Sequence, residues 1–150
     1  MTANNAPTFA FIMFLTGVGI PVLAALNGGL GARLGSPMAA SVILFGLALT
    51  IALAGTAATE SLGAVRLSAG VPLQYYFGGL FVAFYVIAVT FIAPRFGVGN
   101  AIFFVLVGQI VSAAAIDHFG LFGSLRYPID AKRTAGIALM IAGVYLARRI

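Results

Sequence analysis

The chain has 150 residues, 62% hydrophobic and 7% charged, with a mean hydropathy of +1.13. A water-soluble domain of this composition would have almost nothing polar to put on its surface, so an ordinary soluble fold is excluded. The net charge is +5 and the pI near 10.3, but the basic residues are scattered between apolar runs and form no patch or stripe, so nucleic acid is not an expected partner. With no cysteine and one histidine, disulfides, thiolate metal sites and redox thiols are ruled out, a zinc site is not expected, and no metal or cofactor is anticipated.

Five uncharged runs divide the chain: Met1–Ala32, Leu34–Thr59, Leu67–Pro94, Phe96–Ile116 and Thr134–Ala147. Four exceed the roughly 20 residues that cross a hydrocarbon core of about 30 Å. The fifth is shorter, but Lys132 and Arg133 before it and Arg148 and Arg149 after it have long stems that can snorkel to the interfaces. The expectation is an all-α integral membrane protein: one transmembrane domain over residues 1–150, with five helices near 7–30, 37–58, 72–93, 98–117 and 133–148. The first run is too long for a signal-peptide core, lacks a basic segment ahead of it and has no small-residue cleavage site before Arg33, so it is expected to stay as a helix.

The first helix carries Thr16, Gly17, Gly19 and Pro21 close to mid-membrane, where proline removes an N–H and permits a bend. The segment Asn27 to Pro37 holds four glycines that suit a tight interfacial turn, and Ser36-Pro37 is the expected N-cap and first-turn pair of the second helix. The second helix is small and aliphatic, which favours close helix packing. The third helix carries Tyr75 and Tyr76 at its start, placed as belt tyrosines. Phe77, Phe81, Phe84 and Tyr85 follow at three- and four-residue spacing, and such a stripe is either packing surface or the wall of a cavity. Tyr85 falls near mid-membrane, where its hydroxyl needs a partner. Ala93 to Gly97 is expected as a short loop.

In the fourth helix Gln109 is the strongest polar signal within a span, because an unpaired amide in hydrocarbon costs several kcal/mol. It either bonds a neighbouring helix or Ser112, or contacts a ligand. Asp117 and His118 close this helix. A carboxylate at a helix C-terminus opposes the macrodipole and needs a compensating partner, for which His118 or Arg126 is available. The pair can relay protons or simply be solvated at the interface. In the fifth helix Gly136 and Gly143 fall nearly on one face two turns apart, with a drift of about 20°. They are candidates for a dimer seam or for packing within the chain.

With five spans the termini fall on opposite sides. One side then holds Arg66, Arg126, Lys132 and Arg133, and the other Arg33, Arg95, Arg148 and Arg149. Positive charge fixes orientation only through an excess on one side. Here the sides balance, so dual insertion is inferred, with copies pairing antiparallel into a ten-helix homodimer on the inverted-repeat plan of many secondary transporters.

Asn27-Gly28-Gly29-Leu30, Leu34-Gly35-Ser36-Pro37, Phe77-Gly78-Gly79-Leu80, Gly108-Gln109, Ile116-Asp117-His118-Phe119-Gly120-Leu121 and the closing Gly136 and Gly143, taken together and in this order, resemble the YdcZ-like family of five-helix bacterial inner-membrane proteins in the drug/metabolite transporter superfamily. The resemblance implies a transporter-like fold, location as a multi-pass protein of the bacterial inner membrane, and copies inserted both ways, paired with themselves or with an oppositely oriented paralogue. The chain is also similar to the small multidrug transporters, whose last helix dimerises through two glycines seven apart. It departs from them in having no acidic residue before Glu60, so their membrane-embedded glutamate mechanism does not transfer. Many YdcZ-like members have a glutamine one turn before the asparagine at the end of the first helix; Leu23 stands there.

The leading functional expectation is a secondary transporter or facilitator of a small organic solute, neutral or zwitterionic. Gln109, Asn27 and Tyr85 would line its cavity between walls of Phe81 and Phe84. Asp117 and His118 are candidates for proton coupling, and Gly136 and Gly143 for the dimer interface. The alternatives are a small dual-topology ion channel similar to the fluoride channels, with Asn100, Phe103 and Phe104 along its pore, or a membrane assembly subunit without flux. An enzyme is not expected, since the spans contain no spaced carboxylate pair or nucleophile with a base.

Overall fold

Inside a bilayer no water is at hand for backbone N–H and C=O groups, so an apolar chain satisfies them through its own helical bonds. A computed structural model of the chain describes residues 6–60, 62–66 and 70–147. Its α-helices are α1 (Ala6–Leu34), α2 (Pro37–Thr59), α3 (Gly78–Phe96), α4 (Val98–Phe119) and α5 (Ala131–Ala147), and no strand occurs among the described residues. A 3₁₀ turn at Leu73–Phe77 leads directly into α3. Four segments are long and apolar enough to cross a membrane: Ala6–Leu34, Pro37–Thr59, Leu73–Phe96 and Val98–Phe119. The 17 residues of α5 span about 26 Å. Arg148 and Arg149, counted above on the second side, lie outside the described residues.

The chain divides into two compact units, Val22–Arg95 and Met1–Pro21 with Phe96–Ile150. Pro21 lies within α1, which is helical on both sides of it. In the Val22–Arg95 unit the buried residues are small. Ala24, Asn27, Gly28 and Gly31 come from α1, Ala40 and Ser41 from α2, and Val86, Val89, Thr90 and Ala93 from α3. Thr90 is the largest fully buried side chain. This suits a lipid environment, where burying Leu or Phe between helices gains nothing over burying it in acyl chains, and association depends on close backbone approach and polar contacts.

Gly28 and Gly31 therefore serve packing rather than a turn. α1 runs on through them to Leu34, four residues past the expected end. A Cβ on Gly28 would lie 3.1 Å from the Pro94 ring, and one on Gly31 would lie 3.1 Å from Thr90 Cγ2 and 3.2 Å from Pro37 Cα. The turn itself is made at Gly35, with φ of +65°, where the Ser36 N–H donates to Gly31 O at 3.0 Å. Ser36 then caps α2, its Oγ accepting from the Ala39 N–H at 3.1 Å. The expected loop at Ala93–Gly97 is likewise mostly helix. Pro94 lies in the last turn of α3, where it lacks the N–H that would bond the Thr90 carbonyl yet does not end the helix, and the break falls at Gly97 alone, with φ of +89°.

In the other unit α4 packs against α5, with Ala101 and Ala114 buried on α4. Gly120, in the left-handed conformation at φ +63°, ends α4 and donates its N–H to Ile116 O. α5 begins after Asp130, whose Oδ1 accepts from the Arg133 N–H at 2.6 Å.

Gly31→Ala is expected to destabilise the protein by about 1–3 kcal/mol, because the new methyl meets a buried side chain and backbone at once. Gly46→Ala, where nothing lies within 4 Å, is the matched control and should leave the thermal midpoint in detergent unchanged or slightly raised.

Candidate functional site

Asn27 lies on the face of α1 turned to α3, and its Nδ2 donates to Thr90 Oγ1 at 2.6 Å. Thr90 in turn donates its hydroxyl proton to Val86 O, also at 2.6 Å. Asn27 is 5% and Thr90 1% exposed, so the two form a buried polar link between α1 and α3. The glycines at 28 and 31 let the backbones come close enough for so short a side chain to span the gap. Thr90 was not singled out by sequence reasoning. A lone threonine in an apolar run ordinarily bonds its own helix at i−4, as Thr16, Thr50 and Thr56 do here, and nothing local marks one that also accepts across helices.

Beside this link lies a cavity of about 340 Å³ lined by Gly31, Gly35, Pro37, Thr90, Pro94 and Arg95. It sits where α1 and α3 end and α2 begins. Arg95 lines it while lying back along its own helix. One guanidinium nitrogen donates to Phe91 O, and the guanidinium carbon stands 3.9 Å from the Phe91 ring centroid.

Tyr85 lies on α3 one turn before Val89, at the edge of the buried face. Its hydroxyl is shielded from solvent and has no hydrogen-bond partner among the described residues. Phe81 and Phe84 point away from the packed face, 72% and 74% exposed. The stripe is therefore split, with Phe81 and Phe84 off the packed face and Tyr85 at its edge. Gln109 belongs to the other unit and is exposed on α4, where Ser112 Oγ bonds its backbone oxygen at 3.2 Å. The structure thus brings Asn27 and Tyr85 into one unit with Thr90, and leaves the ring faces of Phe81 and Phe84 outward.

Asp117 and His118 hold a knot at the end of α4. The partner of Asp117 is neither His118 nor Arg126, as expected from their nearness in sequence, but Arg133 from the first turn of α5, at 2.6 Å. α4 and α5 pack side by side, which brings a residue 16 positions away closer than the adjacent histidine, whose ring turns aside. His118 Nδ1 accepts from the Ile129 N–H at 3.0 Å, and its backbone oxygen accepts from Arg126 Nε at 3.3 Å. The Tyr127 N–H donates to Asp117 O at 2.8 Å, and Phe119 meets the imidazole edge to face at 4.6 Å. An Nδ1 that accepts a backbone N–H is unprotonated, so neutral His118 carries its proton on Nε2. These bonds fasten the 120–130 segment to both helices, and they account for Asp117, His118 and Gly120 of the motif. Gly136 and Gly143 have nothing within 4 Å of where a Cβ would stand. Among the described residues no cluster of three His, Asp or Glu could hold a metal.

Residues 8–146 match the family described as "Putative inner membrane exporter, YdcZ". The chain belongs to the YdcZ-like family. Together with the four candidate spans, this makes it a multi-pass inner-membrane protein. No curated protein and no solved structure matches the chain. For this YdcZ-like chain, His118→Ala is expected to cost the Ile129 N–H its acceptor. At about 1 kcal/mol for the lost bond, amide exchange at Ile129 should quicken roughly fivefold with little change at α2.

Proposed function

We propose that this YdcZ-like protein is a secondary transporter or facilitator of a small organic solute, working by alternating access as an antiparallel homodimer. The supporting observation is the set of polar groups in an otherwise apolar unit: the Asn27–Thr90 link and, on the same helix as Thr90, a shielded Tyr85 hydroxyl with no partner. A hydroxyl left unsatisfied costs about 1–3 kcal/mol, a cost that a solute's hydrogen-bonding group would remove. The family's description as an exporter points the same way. The outward rings of Phe81 and Phe84 would then be covered by the second copy, forming the wall of a shared cavity. Gln109, exposed on α4, is a further candidate for contact with the solute. The fifth crossing is α5, with Lys132 and Arg133 at one interface.

The dimer rests on the balanced arginines and lysines and on α5, whose Gly136–Gly143 face is open within the chain. Two such faces pack closely because nothing projects between them.

Single cysteines at the two ends, Thr2→Cys and Ile150→Cys, should each be labelled by a membrane-impermeant maleimide from both sides of the inner membrane in comparable amounts; the native chain has no cysteine to obscure the result. Labelling from one side alone would refute the antiparallel dimer. Removing Arg66 should shift the population one way and removing Arg33 the other. Gly143→Leu, with open space around it in the monomer, should at least halve the dimer fraction in cross-linking while leaving helicity intact.

A further inference from the structure

We infer that the cavity between the ends of α1 and α3 and the start of α2 binds an oxyanion, the carboxylate or phosphate of an organic molecule, through Arg95. The inference deepens the transporter reading by naming a charged group of the solute, and rests on it only for the step from binding to transport.

The first observation is charge without a counter-ion. This end of the Val22–Arg95 unit carries Arg33 and Arg95, and the unit's one acidic residue is Glu60. Glu60 follows the far end of α2, a helix of 23 residues and so about 34 Å long. At that distance, several Debye lengths, it neutralises nothing here. Among the described residues the ion pair is Arg133 with Asp117, in the other unit. The C-terminal dipoles of α1 and α3 offset part of the charge, roughly half a unit each, and the N-terminus of α2 restores half a unit. An excess of cation stays.

The second observation is where that cation sits. Arginines at membrane edges ordinarily extend to the aqueous side. Arg95 instead folds back one turn, bonded to Phe91 O and resting on the Phe91 ring, and it lines the cavity. Arg33 folds back likewise, its Nη1 3.7 Å from the position of a Cβ on Gly29. The bond to Phe91 uses one of five guanidinium N–H donors, and the planar fork that suits bidentate oxyanion binding is held in place by the ring beneath it. The third observation is the rest of the lining. Gly35 carries no side chain and has nothing within 4 Å of where a Cβ would stand, and Pro37 and Pro94 give rigid walls, so a space of about 340 Å³ stands open beside the guanidinium. That is room for a small organic acid or a lipid headgroup.

The test uses the full-length protein, labelled with ¹⁵N-arginine, in nanodiscs of phosphatidylcholine alone. The Arg95 Nε–H signal is assigned by its loss in Arg95→Lys, and benzoate is titrated at constant ionic strength. The expected result is a saturable shift of the Arg95 signal, with Arg126 unmoved. Benzoate affinity should fall at least tenfold in Arg95→Gln and change less than twofold in Arg126→Gln, both checked for native elution and thermal midpoint. If benzoate leaves the signal in place but a third of phosphatidylglycerol in the disc moves it, the site stands and its oxyanion is a lipid headgroup. If neither moves it, or all arginine signals drift together without saturating, the proposal is overturned. Because the readout is binding, a protein that binds benzoate yet carries no solute would sink the transporter reading and leave this site intact.

Discussion

The hydrogen bond from Asn27 to Thr90 is the constraint on which the Val22–Arg95 unit depends. In water, three helices of this composition would be held by the burial of their leucines and phenylalanines. In lipid that term vanishes, and the large side chains face outward, as Leu26, Leu47 and Phe84 do. What remains is contact between small surfaces and the need of a few polar groups to find one another. An asparagine side chain is short, so its bond across to α3 forms only if the helix axes come close, and that is possible only because Gly28 and Gly31 bring no Cβ to the interface. The glycines and the amide are thus one device. The glycines give the approach and the amide fixes the register.

The same physics separates what the sequence declares from what it hides. The first four helices were plain, because uncharged runs longer than a bilayer is thick leave few alternatives, and Ser36-Pro37 marked the start of α2 to the residue. Helix ends were less plain. Glycine and proline ordinarily stop helices in water, yet Gly28, Gly31 and Pro94 stay within them, because a bilayer penalises any unbonded carbonyl more than it penalises a poor helix former. The breaks moved to Gly35 and Gly97, glycines with positive φ.

Asn27 and Tyr85 were visible as polar groups in apolar runs. Thr90 and Arg133 were not, since each gains its meaning from a partner on another helix. Distance along the chain suggested His118 or Arg126 for Asp117, whereas packing of α4 on α5 supplied Arg133. The Ile116-to-Leu121 motif, chemically suggestive as a string, is in space a fastening for the segment that joins those helices. Asp117 and His118 tie that segment and α5 to the end of α4.

The folded-back arginines have a meaning for biogenesis. Under the dual insertion proposed above, Arg33 and Arg95 act during insertion of the nascent chain as charges that resist crossing, counted against Arg66 and Lys132. Once folded, the guanidinium of Arg95 lies one turn deeper on the Phe91 ring. One side chain thus serves first as a topological signal and then as part of the finished surface, and the two duties are under separate physical control. A substitution chosen to alter the second duty also alters the first, so any change in the behaviour of such a variant has to be apportioned between a modified cleft and a changed orientation of the chain in the membrane.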